Sequence, residues 1–441
     1  MAGLRTPTIE MPLMDDVQAR LLDVLDRGGS LYELSLLLPE VSKALAVAGM
    51  PAIPHATVAQ LSNDHLRQHE SLEVLQVAPR KLLVSMIRGT VAYDCAQDPS
   101  EEYGSQTDEP GVYVIAVGIH GRGGKFLNWD ELGFVATVID EYADAFEIRE
   151  RRGVLTLDEE EKLQQADRID AAYGLAPGKA GMRFIESASI VGKARELANG
   201  IRRRIIQPYP GPAAGEVHQT QSPQYIGCST KLSGRLKDYD VATGLKLVNR
   251  PLALLVHVLK SLGHEPFLTR RVVVKVYRAS QLQVAERLFI ALARSYLWQD
   301  GLNVAEGGSR AGINGPRLAD SKDSVWVRSS IMRTNLDLSM EDVAERQEYL
   351  HNIVAIDDLQ VRINSKIRQI NQNLASLDEA VEFQERNIRP AMEAKAEALR
   401  QQLDKAVAQR VLWKELDELA SLMSKCMSSP RSEVPPISTV V

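Results

Sequence analysis

The chain has 441 residues, enough for two or three domains, and its 44% hydrophobic share supports at least one core, while 5% aromatic content favours helices over a β-sandwich. Three scattered cysteines (Cys95, Cys228, Cys426) exclude a disulfide scaffold and lack zinc-ligand spacing, which fits a reducing compartment. The net charge of −6 argues against a general nucleic-acid binder, but it is uneven: residues 225–328 hold 16 basic and 8 acidic side chains, and residues 1–110 hold 8 and 16. A local basic segment of this kind points to a polyanion site.

The opening MAGLRTPTIEMPLMDD has neither a signal-peptide pattern nor the acid-poor character of a transit peptide, and no apolar run reaches the length of a membrane span. The expectation is a soluble intracellular protein without membrane contact. Residues 1–96 read as a helical N-terminal region: VQARLLDVLDRGG stops at paired glycines, LYELSLLLPEVSKALAVAG is interrupted by Pro39, and HATVAQLSNDHLRQHESLEVLQ follows. Polar, turn-rich 97–110 reads as a linker. GVYVIAV (111–117) is a β-branched strand, and the GRGGK after it lacks the spacing of a phosphate loop and reads as a turn.

Residues 118–219 are mostly helical and end in a proline-rich stretch preceded by Arg202, Arg203 and Arg204. Strand pattern returns at PQYIG, followed by a short helix (SGRLKDY), a second (RPLALLVHVLKSLG), a strand (RRVVVKVY, 270–277) and a third helix with Ser280 as N-cap. GLNVAEGGSRAG is a glycine-rich turn. From 339 to 428 the chain reads as coiled coil: Ile363, Ile367, Ile370, Leu374, Leu377 and Val381 step by 4, 3, 4, 3, 4. Pro390 suggests a fold-back hairpin, with a parallel homodimer as runner-up, and 429–441 reads as a disordered tail.

The basic segment holds a set of polar groups that a plain β–α corner, which needs only the glycine, has no use for. Tyr225 and Gly227 share one strand face, and the glycine lets another group approach closely. Arg235 and Tyr239, four apart, share a helix face. Glu286 falls within the apolar stripe Leu282, Ala285, Phe289, Ala293 and Leu297, where a carboxylate needs a partner. The plain alternative is a buried ion pair with Arg235 or Lys275.

GVY on one strand, YIG on the next, Arg235 in SGRLKDY, Tyr239 one turn on, Glu286 in VAERLFIALARSY and the closing GLNVAEGG together resemble the GIY-YIG nuclease superfamily. The resemblance implies an α+β fold: a small mixed sheet core in the order β-β-α-α-β-α, here formed by 111–117 and 220–328 with 118–219 as a large helical insertion. It implies a divalent-metal-dependent endonuclease acting on DNA, with RNA left open. Tyr113, Tyr225, Arg235 and Tyr239 would be catalytic, Tyr113 as general base or relay and Arg235 on the scissile phosphate. Glu286 would hold Mg²⁺ or Mn²⁺, and Gly227, Lys231, Lys237 and Asn303 would meet the substrate. In this chain Tyr113 and Tyr225 stand 112 residues apart, and the insert with its three arginines is expected to gate or select substrate. The rival reading is a nuclease-like domain retired from catalysis that acts as a nucleic-acid-binding or coiled-coil scaffold protein. The coiled coil would bind a second copy or a partner protein in either case.

Overall fold

The computed structural model describes residues 13–46, 54–62, 65–98, 109–151, 153–172, 182–205, 217–243, 245, 248–276, 279–308, 330–385 and 393–427. It divides into two units, Met1–Ser339 and Met340–Val441.

The first unit is built on β1 (Gly111–Ile119), whose run GVYVIAVGI is buried throughout. A strand can be apolar at every position only if both its faces are covered. Here Tyr113, Ile115, Val117 and Ile119 enter one core and Val112, Val114 and Ala116 enter another, as the two-residue period of a strand requires. β1 lies between β2 (Gln224–Ser229) and β3 (Pro266–Lys275), and both pairings are antiparallel. The expected mixed sheet is therefore corrected to an antiparallel one, because each return to the sheet reverses direction. With 118–219 set aside, the element order is β1, β2, α11 (Leu232–Lys237), α12 (Arg250–Ser261), β3, α13 (Ala279–Leu292), the anticipated succession.

The insertion supplies the first core. α8 (Trp129–Glu150), α9 (Leu157–Ala171) and α10 (Ala188–Arg203) join α12 over the odd-numbered residues of β1. α8 opens on a reciprocal capping box between Asn128 and Glu131, and α9 on another between Thr156 and Glu159. The three arginines near the end of the insertion are engaged within the first unit. Arg202 pairs with Asp140, Arg203 with Asp300 and Glu196, and buried Arg204 donates from Nη2 to the Asp300 carbonyl at 2.8 Å. Only Arg204 is buried, so desolvation accounts for its turn toward a carbonyl, while Arg202 and Arg203 form ion pairs at the surface.

The N-terminal helices supply the second core. Among the described residues they run from α1 (Asp16–Asp26) to α7 (Val91–Gln97), and they pack with α13 over the even-numbered residues of β1. They therefore share a core with the sheet and do not form a separate lobe. The stretch from Leu31 is broken as expected, into helices Leu31–Ser35 and Leu38–Leu45, with Pro39 in the first turn of the second. The third core helix begins at Ala279, so Ser280 lies inside its first turn. Most of the expected linker, and the tail after 427, lie outside the described residues.

The second unit comprises the rest of α14 (Ser330–Glu385) and α15 (Glu393–Met427), joined by a Lys366–Glu415 ion pair at 3.2 Å. That contact pairs positions nearly equidistant from residues 386–392, as a fold-back hairpin does. Of the predicted seam, Ile363, Ile370 and Leu374 are partly covered, while Ile367 and Leu377 stand 41% and 40% exposed; the side chain of Val381 lies outside the description. No helix is long and apolar enough to cross a membrane among the described residues.

His257 on α12 is fully buried, its Nδ1 2.7 Å from the Ala253 carbonyl, and burial lowers its pKa from 6.5 to about 4. The unfolded chain thus takes up a proton between those values that the folded chain refuses. The fold is expected to lose up to about 3 kcal/mol as pH falls from 6.5 to 4. Urea unfolding of wild type and His257→Gln across that window checks this, with the slope expected to flatten in the variant.

Candidate active site

Register decides where the tyrosines meet. Tyr113 on β1 stands opposite Gly227 on β2, and a Cβ at 227 would lie 2.5 Å from the Tyr113 hydroxyl. The ring of Tyr113 therefore crosses the neighbouring strand over a residue that must have no side chain. On the other side the β1–β3 register shifts between Val112 and Tyr113, a bulge of the kind that re-aims a side chain.

The Tyr113 hydroxyl reaches Tyr239 at 3.0 Å and accepts from Arg235 Nε at 3.2 Å. Arg235 also donates from Nη1 to Asp238 at 3.0 Å and from Nη2 to the Tyr239 hydroxyl at 3.4 Å. Its guanidinium carbon stands 5.3 Å from the Tyr239 ring centroid. The three tyrosine rings pack together with centroids 5.6, 6.0 and 6.4 Å apart. The four-residue spacing of Arg235 and Tyr239 thus delivers the contact it promised, although α11 ends at Lys237 and Tyr239 lies in the turn beyond.

Burial pushes the Tyr113 phenol well above its ordinary value, with Tyr225 adding to the effect and Arg235 only partly opposing it. Tyr225 is raised first by burial and next by the nearby Glu286 carboxylate. Tyr239 is raised likewise, chiefly by burial. All three are therefore neutral phenols at physiological pH. Burial works against the charge of Arg235, but its phenol neighbours and Asp238 outweigh that, and it stays cationic.

A cavity of about 650 Å³ opens beside this cluster, with Tyr113, Tyr225, Arg235 and Glu286 in its wall. Glu286 Oε2 accepts the Gly308 N–H at 2.7 Å. The cations that could have neutralised it are taken: Arg235 pairs with Asp238 and Lys275 with Glu109. Glu306 lies in the same wall, its Oε1 accepting from Thr57 Oγ1 at 2.9 Å. Among the described residues no three His, Cys, Asp or Glu side chains gather as a metal cage. Glu286, facing the cavity with no cation paired to it among the described residues, still fits an ion that keeps its waters and draws remaining ligands from a substrate phosphate.

The other anticipated residues separate. Asn303 also lines the cavity, but its amide clasps the backbone of β2, accepting from Ile226 N at 2.9 Å and donating to Ile226 O at 2.7 Å. That gives it the task of fixing β2 instead of the expected one of holding substrate. Lys231 and Lys237 are exposed and outside the cavity lining. Two cations were missed: Lys193 from α10 and Arg250 from the start of α12 stand in the cavity wall. Neither carried a sequence signal: Lys193 reaches the site through packing of the insertion and Arg250 from the first turn of α12. Asp238, three residues after Arg235, was legible by helical spacing.

No protein-family model, curated protein or solved structure matches this chain.

Asn303→Ala would leave the Ile226 N–H and carbonyl unpaired in a buried place. The expected cost is about 1–3 kcal/mol for each group left unsatisfied, read by chemical denaturation.

Proposed function

We propose that this chain is a divalent-metal-dependent endonuclease that hydrolyses phosphodiester bonds in DNA, with a GIY-YIG-type core. The observation that carries the reading is the meeting of Tyr113, Tyr225, Arg235 and Glu286, from four separate elements, around one cavity in the basic part of the chain.

Hydrolysis needs a positioned water, relief of negative charge at phosphorus and a proton for the leaving oxygen. Arg235 supplies fixed positive charge in the cavity wall, already oriented by Tyr113, Tyr239 and Asp238, so it needs no rearrangement as charge develops. Glu286 would hold Mg²⁺ or Mn²⁺, which when bound lends Lewis-acid character to the phosphate and acidity to water. A neutral Tyr113 is a poor base, so its task is to orient the attacking water, its own hydroxyl being fixed by Tyr239 and Arg235. Tyr225 sets a neutral phenol near Glu286. Lys193 and Arg250 would steady the flanking backbone as phosphate contacts.

The test is incubation of the purified protein with supercoiled plasmid and branched DNA, with Mg²⁺ or with EDTA. Nicking is expected with Mg²⁺ alone, and Glu286→Ala or Arg235→Ala should lower the rate by about a hundredfold or more. A folded wild type that binds DNA but never nicks it would return the chain to the retired-nuclease reading.

A further inference from the structure

The two long helices of the second unit bury very little between them. Among its described residues only Leu359 and Glu415 are buried, while Val361, Leu399, Leu412 and Trp413 stand between 59% and 66% exposed. Helices of this kind draw most of their stability from covering an apolar face, and a contiguous exposed patch marks a surface that associates.

The Lys366–Glu415 pair fixes the register of the hairpin. Counting outward from it, Leu359 comes level with Leu422 and Ile370 with Val411, and these four are buried or partly covered, so they form the seam. An α-helix turns once in about 3.6 residues. Ile353, Gln360 and Ile367 therefore lie about a quarter turn round α14 from its seam, and Leu412, Leu416 and Met423 about a quarter turn round α15 from its own. Both displacements have the same sense along their own chain, and the helices run in opposite directions, so the two rows emerge on one side of the hairpin. The five apolar members of these rows are exposed, from Ile353 at 36% to Leu412 at 59%. Among the described residues that side carries no charged group from Tyr349 to Leu374 on α14 or from Ala408 to Met423 on α15, whereas the opposite side carries Asp358, Arg362, Lys414 and Glu418. Val361 and Trp413 lie on the outer edges of the hairpin, where each apolar stripe is a single helix wide.

The length shared by the two rows is about 16 residues, or about 24 Å of helix, and two helices side by side are about 20 Å wide. That makes about 500 Å² on one hairpin and about 1,000 Å² in all when two such faces meet, the size at which an association becomes specific. An uncharged face complements itself: a second copy brings no charge to be stripped of water, whereas a charged partner surface would lose its hydration here without compensation. A two-fold pairing of identical faces also closes, leaving neither row uncovered.

We propose that the second unit is a dimerisation module, in which the uncharged side of one hairpin packs on the same side of a second copy and the two close into a four-helix bundle. This goes beyond the nuclease reading and does not depend on it.

The experiment is analytical ultracentrifugation of the purified chain. Wild type is expected to sediment as a dimer at micromolar concentration, in low and in high salt alike, since no ion pair holds the face. Leu416→Glu and Ile367→Glu each place a charge within it and should weaken the dimer about a hundredfold or more. Val361→Glu, on the outer edge, should change it less than about threefold. Circular dichroism checks that each variant is folded, and Met423→Glu replaces either face variant that is not. A wild type that stays monomeric overturns the proposal and leaves the face to a partner of another kind. So does a dimer that survives both face variants, that Val361→Glu dissociates equally, or that salt dissolves.

Discussion

Tyr113 can lie across β2 only because residue 227 has no side chain, and the rest of the cluster follows from that single close approach. Strand register is periodic by two, so a slip of one residue would turn Tyr113 into the opposite core and bring a different residue opposite it. With Tyr113 facing Gly227, its hydroxyl stands where Arg235 and Tyr239 reach it from the turn after β2. The bulge toward β3 and the clasp of Asn303 on Ile226 act on the same strands from either side. A constellation of four polar groups is thus held mainly by backbone geometry.

The sheet is too small to protect itself. Three strands with apolar groups on both faces require a helical layer on each, and the chain provides them from regions that read as accessories. The N-terminal helices cover one face and reach the far wall of the cavity through Thr57, which bonds to Glu306 and to the Tyr296 hydroxyl at 3.1 Å. The insertion covers the other face and brings Lys193 to the cavity. Neither is an appendage that can be removed to leave an intact core.

Much of this was legible in sequence where the signal was local. The continuous apolar run 111–117, the glycine-tyrosine alternation of YIG, the spacing of Arg235 and Tyr239 and the heptad steps after 363 each report a period that the backbone enforces. Tertiary demands were not legible. The partners of Arg202 to Arg204, at Asp140 and Asp300, lie about 60 to 100 residues away in sequence and gave no local signal. Asn303 looked like a substrate ligand because its clasp on Ile226 spans 77 residues. Glu286 was expected to need a partner among its apolar neighbours, but the one it has, the Gly308 N–H, was not legible because the turn at Gly307 and Gly308 that closes over it lies 22 residues on.

The central position of β1 also governs how the molecule comes into being. Its two partners are residues 224–229 and 266–275, so the strand made first among the three must wait for most of the first unit to be synthesised. At ribosomal rates of about 5–20 residues per second, that leaves an apolar nine-residue strand without its neighbours for many seconds. Such long-range pairing makes for a high contact order and slow folding. The N-terminal helices, already emerged, are the part of its even-numbered face's cover that is made before it, while α13 comes after all three strands.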